Sequence, residues 1–152
     1  MQAVFGDLDA MGHVNNVVYL TWIETARIEY WLQIAAPGAH PAAPDPSGAS
    51  PHPSGLVLSG ASVDMILART EIDYRSPVSY GEKLDVFVRT SLIKRSSLVF
   101  DYAIVSRAGE RTVAEAKTVI VCYDYARMRS KPVSQALRES ILAIDPQARV
   151  EI

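Results

Sequence analysis

The stretch Asn15–Ile34, NNVVYLTWIETARIEYWLQI, decides the fold. It holds no Gly or Pro from Asn16 onward, and Asn15 is placed to cap the helix by accepting the first free amides. Apolar residues occur nearly all round it: Val17, Val18, Tyr19, Leu20, Trp22, Ile23, Ala26, Ile28, Tyr30, Trp31 and Leu32. The polar residues Thr21, Glu24, Thr25, Glu29 and Gln33 gather mainly on one stripe. A helix with so wide an apolar surface must be wrapped by other elements.

The wrapping elements follow it. Ser62–Arg75 alternates Ile66, Ala68, Thr70, Ile72 and Tyr74 against Arg69, Glu71 and Asp73, which predicts a strand. Lys83–Lys94, Ser97–Ser106 and Thr112–Tyr125 read as three more. Turn signals join them: Ser76-Pro77 with Gly81, Lys94-Arg95-Ser96 and Ala108-Gly109-Glu110. Connections this short imply antiparallel neighbours. Ser134–Ile144 reads as a short amphipathic helix. With a short N-terminal strand before the long helix, the plan is α+β, a curved sheet around one central helix.

Residues 36–55 stand apart. Six of the nine prolines lie there, so neither helix nor central strand can run through, and a surface loop is expected. His40 and His52 fall inside it without ligand-spaced partners and are read as solvent-exposed. The 35 residues up to Ala35 are too few to fold alone, so the loop divides one domain, residues 1–152, and does not separate two.

Composition narrows the function. Lys plus Arg number 15 and Asp plus Glu 17, a net charge of −2, which gives no general attraction to nucleic acid or to an anionic membrane. No apolar run is long enough to span a bilayer. The N-terminus lacks a signal-peptide pattern, so a cytoplasmic protein is expected. Cys122, the one cysteine, lies in the run Val119–Tyr123 and reads as a buried strand thiol.

The chemistry concentrates just before the helix, in Asp7, Asp9, Gly12, His13, Asn15 and Asn16. A helix N-terminus exposes unpaired N–H groups and partial positive charge, and can stabilise a developing oxyanion. A carboxylate beside it can attack the same carbonyl or activate a water that does. Gly12 lets backbone approach a ligand closely. The same residues also read as a plain turn and cap. Glu24 on the helix is a second carboxylate, with pairing to Arg27 at i, i+3 the simpler reading.

These residues carry a resemblance. Asp7–Tyr19, DLDAMGHVNNVVY, followed by Trp22, Glu24, Ala26 and Arg27, resembles the signature of hotdog-fold thioesterases, in the 4-hydroxybenzoyl-CoA thioesterase and bacterial acyl-CoA thioesterase branch. The likeness continues in Ile72–Pro77 with Gly81-Glu82, in Lys94–Ser97 and in Ala114–Ala116. It implies a five-stranded antiparallel sheet around one helix, in homodimers or homotetramers with active sites between subunits. It implies an acyl-CoA substrate and no cofactor or metal. Catalytic roles fall on Asp9 as base or nucleophile, on the Asn16 amide as carbonyl donor, and on His13. His13 matches the plant acyl-ACP thioesterases, but Met11 stands where that branch has Asn. Substrate contacts fall on Gly12, Tyr19, Arg95, Ser96 and Ser97, with Tyr19 and Trp22 as core or acyl-pocket wall. The basic residues Lys94, Arg127, Arg129 and Lys131 are further candidates to meet CoA phosphates. An acyl-ACP thioesterase and a non-catalytic acyl-CoA binder are the alternatives. A hydratase of the same fold would want its His on the helix.

Overall fold

A computed structural model of the chain describes residues 1–34, 57–58, 61–62 and 64–151. The Pro-rich segment 36–55, with His40 and His52, lies outside the described residues. The elements are α1 (Asn16–Ile34), β1 (Val57–Leu58), β2 (Ala61–Ser62), β3 (Met65–Tyr74), β4 (Leu84–Ile93), β5 (Ser97–Ser106), β6 (Thr112–Asp124), β7 (Arg129–Ser130), α2 (Gln135–Ile144) and β8 (Arg149–Val150). The chain opens with a 3-10 turn, Phe5–Asp7.

Asn15 caps α1 as expected: its Oδ1 accepts the Val17 N–H at 2.9 Å and its carbonyl the Val18 N–H at 3.0 Å. Ser134 caps α2 through the Leu137 N–H at 3.2 Å. The main sheet runs β3-β6-β5-β4-β8, with β7 on β6, and the four long strands pair antiparallel. Register shifts at Leu67/Arg69, Thr90/Leu92 and Ile104/Val105 let the sheet bend around α1.

Two details correct the five-stranded antiparallel expectation. Residues 1–4 reach the sheet through a bridge, Gln2 to Lys83, and turn away from it in the 3-10 turn at Phe5. At the other end of β4, β8 pairs in parallel, so the sheet is mixed and has six strands.

The core forms where α1 lies across the sheet. Tyr19, Trp22, Ile23, Ala26, Tyr30, Trp31 and Ile34 are buried. The Tyr30 and Trp31 rings meet Phe100 edge-on at 5.4 and 5.2 Å. Phe100, Tyr102, Ile104, Ala114, Ala116, Thr118, Ile120 and Cys122 supply alternate positions of β5 and β6. Each fully buried large side chain contributes about 1.5–3 kcal/mol.

The wrapping is incomplete. α1 packs mainly on β4, and β3 lies at the sheet edge with most of its residues exposed on both faces. The alternation read in 62–75 marks a strand, but of its apolar set only Ile72 packs against the core, and Ile66 and Tyr74 stay exposed among the described residues. Val17, Leu20 and Ile28 of α1 are likewise exposed.

Candidate active site

The segment before α1 is folded by its own carboxylates. Asp7 Oδ2 accepts the Val4 N–H at 2.9 Å, and the Asp7 carbonyl accepts the Asn15 N–H at 2.8 Å. Asp7 is therefore a turn former. Asp9 Oδ1 accepts the Met11 N–H at 2.8 Å and the His13 N–H at 3.3 Å. The Asp9 N–H donates to the His13 carbonyl at 2.8 Å, and Leu8 bridges Val14, closing a tight loop. Gly12 turns it at φ +80°, a backbone state that favours glycine. An added Cβ there would meet open space, so the turn and not a close approach requires the glycine.

The two oxygens of the Asp9 carboxylate differ. One oxygen builds the turn, while Oδ2 takes no hydrogen bond among the described residues. The helix start shows the same division. Val17 and Val18 donate to Asn15, but the Asn16 N–H has no partner among the described residues. A free amide at a helix N-terminus is a ready donor to a carbonyl oxygen.

Asp9, His13, Asn16 and Tyr19 line one cleft of about 320 Å³ together with Tyr74, Arg75, Ser76 and Pro77. His13 is exposed and Tyr19 is buried. The Tyr74 ring meets Tyr19 edge-on at 5.1 Å, and its hydroxyl donates to the Asn16 carbonyl at 3.2 Å. Burial is the largest influence on the Tyr19 hydroxyl and raises its pKa; Tyr74 and Glu82 act the same way, against Arg111 and the Val78 N–H. Tyr74 is raised by burial as well. Both therefore stay neutral hydrogen-bonding groups at neutral pH. A larger cleft of about 560 Å³ includes Glu71, Arg89, Asp101, Glu115 and Lys117. Its charges pair within the sheet, Arg89 with Asp101 at 3.5 Å and Lys117 with Asp101 at 3.9 Å, and no helix end faces it. The smaller cleft is the one that joins Asp9 to a helix N-terminus.

The other expected residues lie elsewhere. Gly12 shapes the loop without lining the cleft. Arg95, Ser96 and Ser97 form the β4–β5 turn at the opposite end of the sheet. Ser97 is opposite Val121 of β6 whereas Tyr74 is opposite Ala114, a separation of about 23 Å at 3.3 Å per residue. Arg127 pairs with Asp124 at 2.9 Å and Lys131 with Asp64 at 3.1 Å, while Lys94 and Arg95 are exposed without an ion pair among the described residues. Glu24 sits 3.8 Å from Arg27, its i, i+3 partner, as the simpler reading has it. Tyr74, Ser76 and Pro77 received no role from the sequence, where their signals were a strand running into a Ser-Pro turn and the likeness over Ile72–Pro77. Among the described residues no three His, Cys, Asp or Glu side chains cluster as metal ligands. None of the helices formed by described residues is long and apolar enough to cross a membrane.

Comparison with known proteins bears on the family and the fold. Residues 3–141 match the family described as the thioesterase-like superfamily. A thioesterase from Thermus thermophilus, solved with coenzyme A and Zn, is 30% identical with a TM-score of 0.70, over 96% of this chain and 92% of that one. A thioesterase superfamily protein from Jannaschia is 22% identical with a TM-score of 0.73, over 96% of this chain and 80% of that one. A 1,4-dihydroxy-2-naphthoyl-CoA thioesterase from Synechocystis is 22% identical with a TM-score of 0.70, over 95% of this chain and 94% of that one. None of the curated protein sequences compared with the chain matches it.

Proposed function

The chain belongs to the thioesterase-like superfamily and is a thioester hydrolase of the hotdog fold; from that premise we propose that it cleaves acyl-CoA to a carboxylic acid and free CoA. The observation that carries the site assignment is the pairing of two free groups in one cleft, Asp9 Oδ2 and the Asn16 N–H.

In this reading the thioester carbonyl oxygen accepts the Asn16 N–H, and the α1 dipole favours the charge that develops there. Asp9 takes the proton of a water that attacks the carbonyl carbon, or attacks it directly and gives an anhydride that water opens. The C–S bond breaks in either case, and CoA leaves as the thiol. His13 and Met11, bonded through their N–H groups to Oδ1, hold the carboxylate so that Oδ2 faces the substrate. Tyr19 and Tyr74 supply an aromatic wall for the acyl group.

A second copy completes the site in this proposal. The β3 edge has no strand partner among the described residues, and Val17, Leu20 and Ile28 offer exposed apolar surface on α1. Two β3 edges paired about a two-fold axis run antiparallel, which carries the partner's Arg95–Ser97 end toward this chain's Asp9 end. The far placement of that turn within one chain supports such a shared site, with its exposed Lys94 and Arg95 available to CoA phosphates. The minimal active unit is then a homodimer, alone or paired into a tetramer, built from single domains.

The test is thiol release from a panel of aromatic and C4–C16 acyl-CoA esters by wild type and Asp9→Asn. We expect hydrolysis that falls about 10²–10⁴-fold in the variant. Wild-type turnover in Asp9→Asn would remove Asp9 from the mechanism. No release from any CoA ester, with release from acyl carrier protein esters, would move the substrate to the carrier-bound form.

A further inference from the structure

Arg111 lies outside the cleft, one residue before β6, yet its guanidinium ends on the cleft's wall. Nη1 donates to Ser76 Oγ, and Nη2 donates to the Pro77 carbonyl at 3.0 Å and to Glu82 Oε1 at 2.6 Å. The Glu82 side chain is only 11% exposed. Its Oε1 also accepts the Ser106 hydroxyl, and its Oε2 accepts the Ser79 N–H at 3.0 Å. One ion pair therefore holds the loop after β3 at Ser76, Pro77 and Ser79.

That loop is in turn the anchor of the catalytic segment. Between the held residues is Val78, fully buried, whose carbonyl accepts the Val14 N–H at 3.0 Å. Val14 separates His13 from Asn15, and so lies between the Asp9 turn and the start of α1. Ser76 and Pro77 themselves line the cleft opposite Asp9. Tyr19, another lining residue, faces the same group through the Val78 N–H and through the charges of Glu82 and Arg111.

We propose that Arg111 and Glu82 are positioning residues for hydrolysis: their ion pair fixes the Ser76–Val78 wall, and through the Val78–Val14 hydrogen bond it sets the placement of Asp9 against the Asn16 N–H. The proposal rests on the hydrolase reading of the cleft. The network also reaches the buried Ser106 at the end of β5, but the acceptors of Arg111 beyond Glu82 are Ser76 and Pro77 of the loop, and Arg111 is itself 39% exposed. The planar guanidinium meets three acceptors at once, which a lysine ammonium on a flexible stem cannot reproduce. A displacement of about 1 Å at such a site lowers the rate about 100-fold.

The experiment compares Arg111→Gln and Arg111→Lys with wild type in the full chain. It reads kcat and KM for the best acyl-CoA, thermal unfolding, and hydrogen exchange of the amides of residues 9–18 and of α2. We expect Arg111→Gln to lower kcat about 10–100-fold with KM changed less than about threefold. Exchange should accelerate in 9–18 and not in α2, with Arg111→Lys intermediate in both. Wild-type kcat in Arg111→Gln would overturn the proposal. So would faster exchange spread evenly over 9–18 and α2, since that is general loosening. If Arg111→Gln does not fold, Arg111→Lys decides by the same criteria. A wild type that releases no thiol refutes the hydrolase reading, whereas unchanged exchange in 9–18 refutes the brace.

Discussion

The Tyr30 hydroxyl donates to Asp145 Oδ2 at 2.6 Å, and the same oxygen accepts the Thr90 N–H at 2.7 Å. With its one proton committed, Tyr30 accepts from the Thr90 hydroxyl at 2.8 Å. Three elements meet in this knot: α1 through Tyr30, β4 through Thr90, and the C-cap of α2 through Asp145. All its groups are satisfied, which is the condition under which a buried polar network stabilises.

Tyr30→Phe removes that proton and leaves Asp145 and Thr90 short of a partner. We expect a loss of about 1–3 kcal/mol, a fall in Tm of about 3–10 °C for a chain of this size. Turnover per folded molecule should not change, since Tyr30 is remote from the cleft. The knot should also show on the alkaline side. Burial is the main cause that raises the Tyr30 pKa above 10.0, and the Asp145 hydrogen bond adds to it. A raised pKa gives stability that is full below the unfolded value and declines as pH rises past it. Wild type should therefore lose stability above pH 10, and Tyr30→Phe should flatten that decline in a pH series of thermal melts.

Asp7 and Asp9 are separated in role by their bonds. Asp7 accepts the Val4 N–H with a side-chain oxygen, which an amide can also do. Asp7→Asn should keep hydrolysis within about threefold of wild type, against the about 100-fold or greater loss in Asp9→Asn. Equal losses in steady-state assays would show that turn geometry, and not the free Asp9 oxygen, controls the rate.

Glu82 predicts the acid limb. Burial, its largest single influence, opposes ionisation, but the Ser106 hydroxyl, the Ser79 N–H and Arg111 together outweigh it, and the net pKa is lowered from 4.5. A lowered carboxylate stabilises the fold above its unfolded pKa, and that contribution is lost as pH falls through the folded value. Melts from pH 7 to pH 3 should show a decline beginning near pH 4.5 that is shallower in Glu82→Gln.

The uncovered apolar surface predicts association. Ile28 is 45% exposed on α1 and lies away from the cleft. Ile28→Asp should shift the proposed dimer toward monomer in sedimentation velocity, and activity per chain should fall with it. Full activity in a monomer would end the shared-site proposal.

Much of this was legible in the sequence because it was local. The bounds of α1 follow from a run free of Gly and Pro behind an Asn cap, and the long strands from alternation between turn signals. Three things were not local. Alternation in 62–75 says which residues share a face, but only the placement of α1 on β4 says that most of β3 stays exposed among the described residues. The two residues of β8 are too short to carry a period, so the parallel edge was invisible. Arg111 and Glu82 stand 29 positions apart in separate loops, and nothing in either neighbourhood announces the other. Of the candidate residues, Asp9, His13, Asn16 and Tyr19 line one cleft. The Arg95–Ser97 turn does not, because in the shared-site proposal the neighbour it serves belongs to another molecule.

Cys122 is 2% exposed, and burial pushes its thiol up to about 11. Being the sole sulfhydryl of the chain, it makes the folded enzyme silent toward thiol-detecting dyes. Colour in a CoA-release assay then comes from product alone. Under denaturant the same residue becomes a clock, since one equivalent of dye reacts only as fast as the sheet opens.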